Sequence, residues 1–281
     1  MLNIVCVVDD VALPGSGLRA EHGLAFWVET EAGRLLFDTG GSGAALLHNL
    51  DVLGLDAASV DAVVLSHGHR DHTGGLPALS ERVAPGQPLY ANADLLRERF
   101  SLRDGVRRSI GLPVDVVWLY THFTLHLDNA PQQILPGVWT TGAITERPHP
   151  GGYAAHHYAR SGADYAPDRY RDDLSLVIAL DDGVLALCGC CHAGLLNTLE
   201  HVRRVFRKPI LAVAGGTHLI SAEAAALTEI AQTLAAWGTM RRVYLNHCSG
   251  EDACDVLRQI LGHNVVHPCP AGTTLDLEDA A

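Results

Sequence analysis

Long hydrophobic runs are missing from this chain: none exceeds strand length, and the first, Ile4 to Val8, stops at Asp9 and Asp10. A spanning helix needs about 20 apolar residues and a secretory leader a longer apolar stretch than this. The reading is therefore a cytoplasmic chain with no membrane partner. Basic charge is also scarce. A formal net charge of -12 leaves no broad positive face for nucleic-acid phosphates, so any anionic small-molecule substrate has to be met by local arginines. A disulfide framework is lacking too. The seven cysteines are odd in number, and Cys188, Cys190 and Cys191 lie too close together for one, which fits a reducing compartment and either buried thiols or metal ligation. No repeat of solenoid period is present.

What is there is an apolar share of 48% over 281 residues, ample for a sizeable core and read as one domain, 1–281. Strand and helix patterns alternate. Leu2 to Val8 reads as a strand, followed by a hairpin whose turn is Thr30 to Gly33 and whose second strand, Arg34 to Phe37, ends at Asp38-Thr39-Gly40-Gly41. Ala44 to Leu53 has helical spacing, with Leu46, Leu47, Leu50 and Leu53 on one face. Val63 to Leu65 is a strand, Leu76 to Arg82 starts a helix, Gln87 to Tyr90 is a strand and Asp94 to Phe100 a helix. From 101 to 173 the pattern loosens, with strands near Val114 to Tyr120 and Val138 to Thr141. So long an irregular stretch reads as the wall and lid of a substrate cleft. Order returns with a hairpin (Leu174 to Leu180, Val184 to Leu187), a helix from Asn197 to Phe206, a strand from Ile210 to Ala214 and the longest helix, Ala222 to Trp237. A strand from Val243, a helix from Glu251 to Leu261, a strand at Asn264 to His267 and a closing strand at Pro270 to Leu277 complete an α/β pattern.

The chemistry concentrates where Val63-Val64-Leu65 runs into Ser66-His67-Gly68-His69-Arg70-Asp71-His72-Thr73-Gly74-Gly75. Three histidines and a carboxylate on one loop at a strand end would repel or titrate without a cation. His67 and His69 alternate around a glycine, and Asp71 and His72 follow closely enough to face a second ion. Imidazole and carboxylate suit zinc, and also manganese or iron.

This His-x-His-x-Asp-His loop, entered from a hydrophobic strand, resembles the signature of the metallo-β-lactamase superfamily. Further stretches are similar to the branch named for 7,8-dihydropterin-6-methyl-4-(β-D-ribofuranosyl)aminobenzene 5′-phosphate synthase: Glu21-His22-Gly23-Leu24, Phe37-Asp38-Thr39-Gly40, Asp172-Asp173, Gly189-Cys190-Cys191-His192-Ala193-Gly194, Gly215-Gly216-Thr217-His218-Leu219 and His247-Cys248-Ser249-Gly250. The resemblance implies a four-layer αββα sandwich of two mixed β-sheets flanked by helices, with the site where the two halves meet. It also implies that Asp38 supports the ligand loop by hydrogen bonds. Two departures stand out. The Pro-Gly-His-Thr stretch common in the superfamily has no counterpart at Thr140-Thr141-Gly142-Ala143-Ile144, although His149 lies nearby. The Gly-Asp that supplies a bridging carboxylate is Gly189-Cys190-Cys191-His192 here, which makes His192 the expected ligand and Cys190 a soft alternative. One ion is thus assigned His67, His69 and His192, and a second Asp71, His72 and His247. His218 joins Asp71 as a catalytic candidate, and His22 is a cleft residue toward substrate.

The function expected first is a metal-dependent hydrolase in which metal-activated water attacks a phosphoester or phosphodiester of a small, anionic molecule, with Asp71 holding the nucleophile. A transferase joining a dihydropterin pyrophosphate to an aromatic amine ribotide is the alternative the branch implies. A metal-binding sensor without turnover is the third. The arginines at 97, 99, 103, 107 and 108 form a local basic run, and Arg107 or Arg108 is expected to bind a substrate anion.

Overall fold

The computed structural model describes residues 2–277. Its first sheet has six strands in the spatial order Asn3–Val8, Ala25–Thr30, Gly33–Phe37, Ala62–Val64, Gln87–Ala91 and Phe123–Leu127. The first three are antiparallel hairpin partners and the last three join in parallel. A second sheet of seven runs Val266–Pro268, Arg242–Asn246, Ile210–Gly216, Val184–Cys188, Ser175–Ala179, Val138–Thr140 and Gln133–Leu135. Its first four strands are parallel and the rest antiparallel.

Alternation along the strands sorts side chains into three apolar layers. Ile4, Cys6, Phe26, Val28, Leu35, Phe37 and Val64 of the first sheet meet Leu176, Ile178, Leu185, Leu187, Ala212 and Ala214 of the second in one buried cluster. The opposite faces are equally apolar. Val7, Trp27, Leu36 and Val63 pack on Leu46 and Leu50 of the helix Gly43–Leu53, while Ala186, Val213 and Val243 pack on the helices Leu195–Phe206, Ala224–Trp237 and Glu251–Leu261 through Leu199, Leu234 and Leu257. Each buried Val, Leu, Ile or Phe among them contributes about 1.5–3 kcal/mol. Sheets covered on both faces explain why their strands read as unbroken apolar runs. The result is the four-layer sandwich of two mixed sheets. Among the described residues no helix is long and apolar enough to cross a membrane.

Three local expectations are corrected. Asp94 to Phe100 is not a helix: Asn92 caps a short 3₁₀ turn, Ala93–Leu96, and the chain then extends as the strand Arg99–Arg103. Arg99 is drawn inward by buried carboxylates, and the strand pairs with His157–Ser161, so tertiary contacts override local propensity. Val116–His122 is a helix and not a strand, capped by the Asp115 carboxylate, which accepts from Trp118 N. Pro270 to Leu277 forms only isolated bridges, such as Val5 with Thr274. The segment 101–173 is also more regular than its composition suggests. With Arg99–Arg103 it builds a four-stranded sheet, in the order Asp164–Pro167, His157–Ser161, Arg99–Arg103 and Val106–Ser109.

Candidate metal centre

The ligand loop leaves its strand over Ser66 and is held from two sides. From the first sheet, Asp38 Oδ1 accepts the Ser66 amide (2.7 Å) and Oδ2 accepts the Ser66 hydroxyl (2.6 Å). The same Oδ2 lies 2.7 Å from His72 Nδ1. A carboxylate there fixes the proton on Nδ1 and turns the Nε2 lone pair the other way. From the second half, Asp172 Oδ2 accepts the Gly68 amide at 2.7 Å. The Thr-Gly-Gly that follows packs so closely on the 38–41 loop that a Cβ at Gly74 or Gly75 would strike the Gly41 or Thr39 carbonyl.

His67, His69 and His192 converge, with ring nitrogens within 4.8 Å of one another. All three are buried, and the Nε2 atom of each has no hydrogen-bond partner among the described residues. Leaving three buried polar atoms unmet in one spot costs several kcal/mol by the usual desolvation penalty of about 1–3 each, and a bound cation removes that cost. Burial, above all, pushes the three well below the ordinary histidine value, which keeps the rings neutral and their lone pairs available.

Asp71, His72 and His247 form a second set within the same 4.8 Å limit. Asp71 Oδ2 stands 3.5 Å from His247 Nε2, 3.8 Å from His72 Nε2 and 3.4 Å from His22 Nε2. His22, read as a cleft residue, therefore sits at this cluster. Behind it is a residue that sequence reasoning missed: Asp10 reaches His247 Nδ1 at 2.7 Å and His22 Nδ1 at 2.9 Å, and Asp9 accepts the His247 amide at 2.8 Å. The available signal was Val8-Asp9-Asp10, a buried strand ending in carboxylates just as the ligand strand ends in histidines. Cys190 Sγ, 3.1 Å from His72 Nε2, also faces the centre. His149 does not join either set; its Nε2 pairs with Glu200 at 3.0 Å.

Both sets open onto a cavity of about 880 Å³ that His218 also lines. Its cationic wall carries Arg70 and Arg103, and its apolar wall Leu195, Leu219 and Ile230. Arg107 and Arg108 are not among the lining residues: Arg107 lies over the Phe100 and Tyr165 rings at 4.6 and 4.8 Å, and Arg108 is exposed on the outer strand Val106–Ser109. Around the centre Asp38, Tyr170, Cys191, His218 and His247 hold left-handed backbone (φ 44 to 60°), a conformation that costs energy outside glycine and that collects at functional sites.

Comparison with known proteins agrees with this architecture. A solved metal-dependent hydrolase of the β-lactamase superfamily superposes with a TM-score of 0.83 at 26% identity, covering 98% of this chain and 99% of that one. The zinc-bound PqqB of Methylobacterium extorquens shares the fold, at a TM-score of 0.58 and 15% identity over 99% and 100% of the two chains. In sequence the chain is 26% identical over 268 residues to the 7,8-dihydropterin-6-methyl-4-(β-D-ribofuranosyl)-aminobenzene-5′-phosphate synthase of Methanocaldococcus jannaschii, spanning 89% of this chain and 88% of that protein. Residues 18–159, half of the chain and the part that carries the His-x-His-x-Asp-His loop, match the metallo-β-lactamase superfamily, and the chain belongs to that superfamily.

Proposed function

We propose that this protein is a metal-dependent hydrolase of a small-molecule phosphoester or phosphodiester. The observation that carries the reading is the trio of buried Nε2 atoms on His67, His69 and His192, without partners among the described residues and set beside Asp71 at a substrate-sized cavity. These histidines would hold one ion, and Asp71, His72 and His247 a second, with zinc the best match to the donors. A divalent ion bound there supplies Lewis acidity toward a water and a phosphoryl oxygen. The chain's own groups do the rest. Burial would raise the Asp71 carboxyl, but His72 and a hydrogen bond from His247 outweigh it and keep it ionised, so it can orient the attacking water and accept its proton. His218 lines the cavity wall, where the ring nitrogen that a cation leaves free is placed to carry a proton to the leaving oxygen.

Substrate charge is the role we give to Arg103 and Arg70. Both line the cavity and neither has a carboxylate partner among the described residues, Arg103 contacting only the His156 ring at 2.6 Å. A second reading, a transferase condensing a pterin pyrophosphate with an aromatic amine ribotide, is supported by the near full-length match to the M. jannaschii synthase. In that case an amine takes the place of water over the same residues. A sensor without turnover is disfavoured, because Asp71 is retained in contact with both His72 and His247.

The test is a panel of phosphomonoesters, phosphodiesters, lactones, thioesters and a pterin pyrophosphate, offered to metal-loaded protein with and without an aromatic amine. Phosphoester turnover without the amine is expected. Arg103→Ala should raise KM about tenfold for a charged substrate and leave a neutral one unchanged, while Arg107→Ala and Arg108→Ala stay near wild type. Turnover only when the amine is present would establish the transferase instead.

A further inference from the structure

We propose that the thiols of Cys190 and Cys248, together with His218, form a soft-ion arm of this centre that takes a zinc-class divalent cation as thiolate ligands. The inference rests on the metal reading above and goes beyond it by assigning sulfur to the coordination. Three adjacent parallel strands, Val184–Cys188, Ile210–Gly216 and Arg242–Asn246, each end in a loop that delivers one of these residues to the same point. The two Sγ atoms lie 3.5 Å apart, and a ring nitrogen of His218 is within 4.8 Å of both.

The surroundings are those of ligands and not of packing thiols. Cys6 and Cys269 belong to the apolar cluster between the sheets, and Cys188 and Cys191 to the one under the outer helices. Cys190 and Cys248 belong to neither, and both line the cavity. The His218 amide donates to Cys248 Sγ at 3.2 Å, the kind of backbone donor that steadies a sulfur carrying negative charge. Room is reserved for that sulfur: a Cβ at Gly216 would stand 2.9 Å from it and would strike the Gly189 carbonyl. Buried His218 Nδ1 has no hydrogen-bond partner among the described residues, an orphan that a cation would satisfy. On binding, each thiol releases its proton to solvent and offers a soft donor that favours zinc or cobalt(II) over manganese or magnesium.

The test uses the full chain, kept reduced with a non-thiol reductant and loaded with cobalt(II). A thiolate-to-cobalt charge-transfer band in the near ultraviolet is expected for the wild type. It should weaken in Cys190→Ser and in Cys248→Ser, vanish when both are replaced, and persist in Cys254→Ser, whose thiol sits on the helix Glu251–Leu261. X-ray absorption of the zinc-loaded wild type, which needs no variant to fold, should show a sulfur shell at about 2.3 Å. Stoichiometric cobalt without the band, together with zinc lacking a sulfur shell, would overturn the thiolate arm and leave the histidine centre standing. Failure to bind either ion would remove both.

Discussion

Asp71→Ala should lower kcat by about 10²–10⁴-fold while the fold survives. Among the described residues the carboxylate is the one acidic group facing both His72 and His247, and it reaches the cavity. In the mechanism we propose, its removal takes away the acceptor for the nucleophile's proton and one donor of the second set together. Little of the architecture depends on the side chain, since the helical turn Arg70–Thr73 is fixed by backbone bonds such as Gly74 N to Arg70 O (2.7 Å) and by the Arg70 amide donating to Ile110 O (2.8 Å). Steady-state kinetics beside circular dichroism and metal content decide it. Wild-type rates in a folded variant would remove Asp71 from the mechanism.

Arg99→Met should be the most damaging change away from the ligands, costing about 3–5 kcal/mol of stability. The guanidinium is fully buried, 2.7 Å from Asp172 Oδ1, 3.0 Å from Asp168 Oδ2 and 3.4 Å from Asp94 Oδ2. Burial works against its charge, but Asp172, then Asp168 and Asp94, more than compensate, so its removal strands carboxylates in a dry interior. Because Asp172 also accepts the Gly68 amide, the loss reaches the ligand loop, and metal affinity should fall with stability. Arg99→Lys should rescue little, since one ammonium cannot serve three carboxylates at fixed angles. Urea unfolding of the two variants measures this. A loss below about 1 kcal/mol would show that the cluster tolerates an apolar replacement.

The strands of the sandwich and its candidate ligands are readable because each is a local event: an apolar run, then a polar loop. Ser66 to Gly75 carries its chemistry in ten consecutive positions, and His192 and His247 stand at the ends of similar strands. What escaped depends on distant partners. Arg99 looks like one of several arginines on a solvated helix until Asp168 and Asp172, about seventy residues on, pull it inward. Asp10 is an ordinary strand-end carboxylate until His22 and His247 close on it. The basic run at 97–108 was read as a unit, yet the hairpin made by Arg99–Arg103 and Val106–Ser109 splits it: Arg99 is buried, Arg103 faces the cavity and Arg107 stacks outside on Phe100 and Tyr165. Strand pairing of this kind has no local signature. The 101–173 strands were likewise obscured, because a small exposed sheet such as Asp164–Pro167 carries little of the apolar patterning that marks a buried strand.

Elemental analysis of the purified chain beside His67→Ala and His192→Ala tests the central claim most directly. Each variant removes, from opposite halves of the sandwich, one of the three buried Nε2 atoms that have no partner among the described residues. The account predicts one or two transition-metal ions per wild-type chain, a drop in both variants, and thermal stabilisation by added zinc in the wild type that is reduced in each. Unchanged stoichiometry in both folded variants, or a wild-type chain that binds no metal, would contradict it.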